Sequence, residues 1–350
     1  MRGLTGRFIE SRSGAFAPIL ILTMIPLITA IGFSVDYTSA VQTRSSEQAA
    51  LDAAILSITS MDTASTKPQR QVVLQNSYAA NGGQGTATLN SFDVSANGTA
   101  TAQATASFAM PTVFMQIARV TSVPIGVVSA VNKAPALVEA TFKVTGVSGY
   151  WSKTMTLYGT MFGAAQGKPL MTIKYVYGGG TDAKGYGTTT VSKIDSLGVS
   201  TVAQTQVCTV AKKAPNGVTL NTDKFGTTYY CVDTMTPGNT AGASIDVSQM
   251  AGLYLQMNVP SGNPKNLYSN DPTTSNRLYS STSLDVPPAE MATGQIVDIF
   301  GLVPCGSTGY QAWEDGGNAV PAPVSNADFF YNVTGKCDFN KRPNNTRLTQ

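Results

Sequence analysis

Residues 15–33 read AFAPILILTMIPLITAIGF, nineteen consecutive positions without a charge. As an α-helix, at about 1.5 Å per residue, this run nearly spans the ~30 Å hydrocarbon core of a bilayer. Extending it to Val35 leaves room for tilt. Pro18 falls in the first turn, where its missing N–H is harmless, and Pro26 lies mid-span, where a kink is expected. Arg2, Arg7 and Arg12 precede the run with only Glu10 opposing them, and Asp36 follows it. The positive-inside rule then gives a cytoplasmic tail over 1–14, a transmembrane helix over 15–35 and an external remainder over 36–350. A cleaved secretory signal has an apolar region of about 7–15 residues, shorter than this one, although Thr38, Ser39 and Ala40 would make a passable cleavage site. Gly6 followed by Glu10 suggests a prepilin-type leader, but residues 11–14 separate that pair from the apolar run. A retained single-pass anchor is the plain reading.

Neither Gly nor Pro interrupts the chain between Asp36 and Met61. Leu51, Ile55 and Ile58 fall at i, i+4 and i+7 with Ala50 and Ala54 beside them, an apolar stripe on one helical face. The spacing predicts one rod from about Pro18 to Met61, on the order of 65 Å long, with 36–62 outside the membrane. The stripe suits packing against the domain that follows, ahead of a role in helical assembly.

Charged residues make up 12% of the chain and His is absent. Ordinary soluble domains carry roughly 25% charge, so the deficit, filled by Ser, Thr, Asn and Gly, points to exported β-structure. Without His there is no His-based hydrolase triad and little prospect of zinc. A net charge of +3 with no dense basic stripe argues against nucleic acid. Residues 63–135 read as a short helix over 68–80, stopped at Asn81, Gly82 and Gly83, then a small β-rich segment with a hairpin turn at Asn97 and Gly98. From 136 to 350 alternation predicts a β-sandwich-like domain. Val138, Ala140, Phe142 and Val144 face inward, and similar runs occupy 153–158, 171–177, 227–232, 252–259, 295–303 and 328–333. Long loops are expected at 178–200, 234–250 and 260–290.

Cys208, Cys231, Cys305 and Cys337 all lie in this external part, which suits disulfides. Of three possible pairings, sequence order favours Cys208 with Cys231 and Cys305 with Cys337. Trp313, Glu314, Asp315, Gly316 and Gly317 form an acidic turn that Asp298, Asp271 or Asp328 could join to hold calcium; the plainer reading is a solvated turn. Calcium candidates are therefore Asp298, Glu314 and Asp315. The Gly-rich 178–187 lacks the ending of a phosphate loop. Tyr150 with Trp151, and Tyr229 with Tyr230, could line a sugar- or protein-binding face, but strand packing explains them more simply.

The order Arg12, Ser13, Gly14, Ala15, an apolar span with Pro26, then Val35, Asp36 and Tyr37, then Gln48, Ala49, Ala50, Leu51, Asp52, Ala53 and Ala54 resembles the N-terminal region of TadG-like proteins of the Tad (tight adherence) pilus system. These are grouped with TadE-type, pseudopilin-like membrane proteins. The resemblance covers residues 7–60 and continues more loosely to about 133. Family members often continue into a von Willebrand A-type domain with a metal-binding Asp-x-Ser-x-Ser. The corresponding segment 142–149 has no aspartate, so that metal site is not carried over. The expected fold is α+β: the long pseudopilin-like membrane helix that the resemblance implies, then the mainly β, sandwich-like, disulfide-containing periplasmic body that the alternation and the cysteines predict. The resemblance implies a non-enzymatic, minor pilin-like assembly component of a Tad-type IV pilus in the inner membrane, its C-terminal domain periplasmic or at the cell surface. The partners implied are the membrane, other pilus-assembly or pseudopilin proteins and further copies of the chain, with no cofactor. A surface adhesin or a carbohydrate- or calcium-binding β-domain on the same anchor is the alternative.

Overall fold

The structure is a computed structural model that describes residues 16–179, 185–223, 225–236, 241–316, 321–342 and 346–349. The expected cytoplasmic tail, and 180–184 of the Gly-rich loop, lie outside the described residues. The chain divides into two compact units, one formed by 1–134 with 343–350 and the other by 135–342.

In the first unit, helix α1 (Phe16–Thr59) runs through Pro26 without a break. Its N-terminal half exposes Leu22, Leu27, Ile31 and Phe33, whereas Leu51, Ile55 and Ile58 in its second half are fully buried. Helix α2 (Lys67–Ala80) starts at a capping box, with Thr66 accepting from the Gln69 N–H and the Gln69 side chain reaching back to the Thr66 N–H. Strands β1 (Thr86–Val94), β2 (Ala100–Pro111), β3 (Ser122–Lys133) and β18 (Thr346–Leu348) form an antiparallel sheet in that order. The turn between β1 and β2 holds Gly98 at φ 81°, as the Asn97–Gly98 pair predicts. Ala102, Ala104 and Ala106 of β2 face the helices while Thr101 and Gln103 face solvent. Small residues there let α1 and α2 lie close on the sheet, sharing a core with Leu74, Tyr78, Leu89, Val127 and Val131.

The second unit contains two antiparallel sheets. One has the order β13-β12-β5-β6-β7-β8-β10-β9, the other β11-β4-β17-β16-β14-β15. The first is built from β5 (Lys153–Met161), β6 (Gly167–Tyr177), β7 (Gly187–Ile194), β8 (Ser200–Val210), β9 (Asn221–Thr222), β10 (Thr228–Met235), β12 (Met250–Asn258) and β13 (Asn266–Tyr268). The second is built from β4 (Ala136–Val147), β11 (Ala243–Asp246), β14 (Leu278–Ser281), β15 (Ala289–Glu290), β16 (Thr308–Trp313) and β17 (Phe329–Asp338). Their inner faces share one core that includes Phe142, Val144, Leu157, Ile173, Leu255, Trp313, Phe329 and Tyr331, a sandwich arrangement. Cys208 pairs with Cys231 across β8 and β10, and Cys305 with Cys337.

Three expectations are corrected. The C-terminal module does not run to 350, because the chain returns at 346–348 to pair with β3 of the first unit. The expected loops at 178–200, 234–250 and 260–290 contain β7, β11, β13, β14 and β15. Residues 295–303 are not a strand: Asp298 accepts from the Phe300 N–H and starts a short 3-10 turn at Ile299–Gly301.

Candidate functional site

The residues that carry the sequence motifs in the helix dock it onto the first unit. Gln48 donates to the Val128 carbonyl (2.9 Å) and to Asp52 (2.8 Å), and Asp52 accepts from the Ser129 hydroxyl (2.6 Å). Asp36 is buried and accepts from three consecutive backbone N–H groups, Val113 (3.1 Å), Phe114 (2.9 Å) and Met115 (2.6 Å). That segment joins β2 to β3 and opens a short 3-10 turn, Met115–Ala118, so a carboxylate there meets the exposed N–H groups of a turn start. One helical turn earlier, a Cβ on Gly32 would approach the Phe114 Cβ to 2.5 Å. Glycine is needed there for the Phe114 side chain to lie directly on the helix backbone.

The far end of α1 has no basic residue in its last turn, yet two cations from other elements cap it. Arg70 of α2 donates to the Ile58 carbonyl (2.5 Å) and the Asp62 carbonyl (2.8 Å), with its guanidinium 4.0 Å from the Phe92 ring centroid. Lys133 at the end of β3 donates to the Thr59 carbonyl (2.7 Å). Both are buried, and burial, reinforced by the Arg70 charge, pushes the Lys133 ammonium down to about 8. Cations at a helix C-terminus oppose its partial negative charge.

Helix α2 also closes the open edge of the sheet. Lys67, Gln71 and Gln75 recur every four residues along one face. Gln75 donates to the Gly85 carbonyl (3.3 Å) and accepts from the Ala87 N–H (2.7 Å). Gln71 donates to the Ala87 carbonyl (2.8 Å) and accepts from the Leu89 N–H (2.6 Å), while Lys67 reaches the Asn90 carbonyl (2.6 Å). Each glutamine amide imitates a peptide group of a neighbouring strand, so the outer edge of β1 is capped by side chains from Gly85 to Asn90. No sequence expectation included these residues; their spacing on a helix beside a strand is the signal that could have found them.

In the second unit, Glu314, Asp315 and Asp328 are buried, with ligand oxygens within 4.8 Å of one another. Asp298 and Asp271 do not join them. Asp298 accepts from the Leu253 and Phe300 N–H groups and pairs with Arg342 (3.5 Å), and Asp271 bonds Thr273. Sequence reasoning missed the group that organises the cluster. Lys153, at the start of β5, places its ammonium 2.6 Å from Asp315, 3.5 Å from Asp328 and 3.1 Å from the Ser148 carbonyl. Gly149, at φ 113°, borders it; a Cβ there would stand 3.0 Å from the ammonium. Burial, and next the charge of Asp328, raise the Tyr175 phenol far above its ordinary range, and its hydroxyl donates to the Gly149 carbonyl (3.0 Å). The Lys153 ammonium thus already pairs with two of the three carboxylates that a cation would use, Asp315 and Asp328. Gly317 of the acidic turn lies outside the described residues.

The aromatic pairs are packing partners: Tyr150 sits edge-on to Tyr177, and Tyr229 stacks on Tyr186 at 4.3 Å between centroids.

The region that contains Gly32, Asp36, Gln48 and Asp52 matches a family model described as "Putative Flp pilus-assembly TadE/G-like", over residues 14–57. This segment is TadE/G-like. The TadE/G-like segment ends two residues before α1 does, so it includes the apolar run and the docked helix but none of the sheets. No curated protein and no solved structure matches the chain.

Proposed function

We propose that the protein is a membrane-anchored, minor pilin-like assembly component of a Tad-type IV pilus system. It acts by tethering and by protein–protein contact and carries out no catalysis. The observation that carries this reading is the double use of α1. The helix is long and apolar enough, by length and composition, to cross a membrane; its first half holds the uncharged run, and its second half supplies Leu51, Ile55 and Ile58 to the core of the first unit. The first unit and its anchor are therefore continuous through one helix. The arginines before the span favour a cytoplasmic N-terminus and a body in the periplasm or at the cell surface.

The outermost strands of the body's two sheets are two to four residues long, and α2 occupies the β1 edge. These short strands cover only part of their neighbours, β9 pairing with β10 at Thr228 and Tyr229 alone, so partner contact falls to strand edges together with the loops. The test is fractionation followed by cross-linking in intact envelopes. Retention in membranes through high salt, release by detergent and cross-linking to other pilus components are expected. Release by salt alone refutes the anchor.

A calcium-dependent adhesive body is the second reading, favoured by the meeting of Glu314, Asp315 and Asp328. Calcium would have to displace the Lys153 ammonium, and a calcium-dependent rise in the stability of the unaltered protein is its test.

A further inference from the structure

We infer that the tip of the β2–β3 hairpin is a second membrane contact, entering the bilayer interface beside the helix; this rests on the anchor reading above. Three independent features of the tip support it.

The first is depth. Phe114 packs on Gly32, three residues inside the end of the apolar run at Val35, or about 4.5 Å along the axis. Asp36, just beyond the run, holds the N–H groups of Val113, Phe114 and Met115. The tip is thereby fixed at the level where the helix emerges from hydrocarbon.

The second is exposure. Val113 is 72% exposed and Ile117 63%, with Phe114 and Val120 each 37% exposed. These side chains all lie within a ten-residue tip, and leaving them in water forfeits roughly 25 cal/mol per Å² of apolar surface that lipid would cover.

The third is the backbone. The Thr112 N–H donates to Thr121, Ile117 to Phe114, Arg119 to Gln116 and Val120 to Met115. With the three N–H groups held by Asp36, most of the tip's donors are already met within the protein. That is the condition for placing non-helical backbone where water is scarce. The side chains of Thr112 and Gln116 also turn inward, onto the carbonyls of Val120 and Thr112. Arg119, exposed at φ 62°, is placed to reach lipid phosphate as the apolar residues enter.

The experiment uses full-length, disulfide-bonded protein reconstituted in phosphatidylcholine/phosphatidylglycerol vesicles. An environment-sensitive fluorophore is placed at Ile117→Cys, with Leu27→Cys in the span and Val72→Cys on α2 as references. Quenching is read with iodide in water and with spin-labelled lipid. We expect the Ile117 probe to be quenched by the lipid label, with an iodide constant about tenfold below that at Val72. Iodide quenching at Ile117 equal to that at Val72, with Leu27 still lipid-quenched, overturns the inference and leaves the anchor standing. Iodide quenching at Leu27 overturns the anchor itself. An Ile117 probe shielded from both quenchers would show a second copy covering the patch, and would equally overturn the lipid contact.

Discussion

Replacing Lys153 by Met tests what holds the acidic cluster of the body. Methionine keeps much of the volume of the side chain and removes its charge. Asp315 then loses a partner at 2.6 Å and Asp328 one at 3.5 Å, in a site where the Lys153 side chain is fully buried. A bare Coulomb energy would overstate the loss, because the pair's desolvation opposes its attraction. Removing one partner of a buried pair typically costs about 3–5 kcal/mol. Trp151 and Trp313 are the chain's two tryptophans and both lie in the second unit, so tryptophan fluorescence during urea unfolding follows the body and not the anchor. With a slope near 2 kcal/mol per molar urea, the midpoint should fall by roughly 2 M. Lys153→Met with Asp315→Asn should recover part of this by removing one of the opposed charges. Millimolar calcium should raise the midpoint of Lys153→Met by filling the vacated centre, and leave the unaltered protein where it was. A fall of less than about 0.3 M, or no recovery in the double variant, would refute the role given to the ammonium.

Lys133 gives a pH signature in the first unit. Its ammonium ionises near 8 when folded against an ordinary 10.5, so the unfolded chain binds the extra proton between those values and stability rises with pH across them, by at most about 3 kcal/mol. Exchange protection of β2 and β3 amides, corrected for intrinsic rate, should show the rise, and Lys133→Met should flatten it. Ile55→Ala should cost about 2–5 kcal/mol by opening a cavity beneath the sheet, read by the same exchange protection. Replacing Gln71 and Gln75 together by Ala should strip the β1 edge of four hydrogen bonds and promote self-association on size-exclusion chromatography; an unchanged elution profile would count against edge protection. Cys305→Ser with Cys337→Ser opens a loop of 32 residues and should lower body stability by about 3 kcal/mol, visible in the tryptophan-monitored urea midpoint.

The long helix was legible because its signals are local: an uncharged run, no Gly or Pro between Asp36 and Met61, and a stripe at i, i+4 and i+7. The runs that became β4, β5, β6, β12 and β17 were legible for the same reason. β8 was not, because its polarity is inverted. Gln204 and Gln206 are buried, whereas Val202 is 47% exposed and Val207 43%. Gln204 accepts from the Val144 N–H and donates to the Val144 carbonyl, both at 3.0 Å, so an amide occupies a position where alternation looks for a hydrocarbon. β7 was hidden differently, since its Thr and Ser residues carry little hydropathic contrast. At the acidic cluster, Glu314, Asp315 and Asp328 stood out as carboxylates. Lys153 lies 162 residues from Asp315 in sequence, and no local pattern links the two.

The path of the chain offers a reason why the recognisable part of the sequence is so short. Lys133, the last residue of β3, pairs with Thr346, the first of β18. Residues 135–342 are therefore inserted where two antiparallel neighbours would otherwise be joined by a hairpin loop. An insertion with adjacent ends imposes little strain on the sheet that receives it, and such loops are where whole domains are most readily accommodated. The constraints on the first unit fall instead on α1, where Gly32, Asp36, Gln48 and Asp52 must each meet a particular backbone or side-chain group. Those residues all lie within 14–57, the segment that matches the pilus-assembly family. For the receiving sheet, the body need only start and finish at neighbouring strand ends.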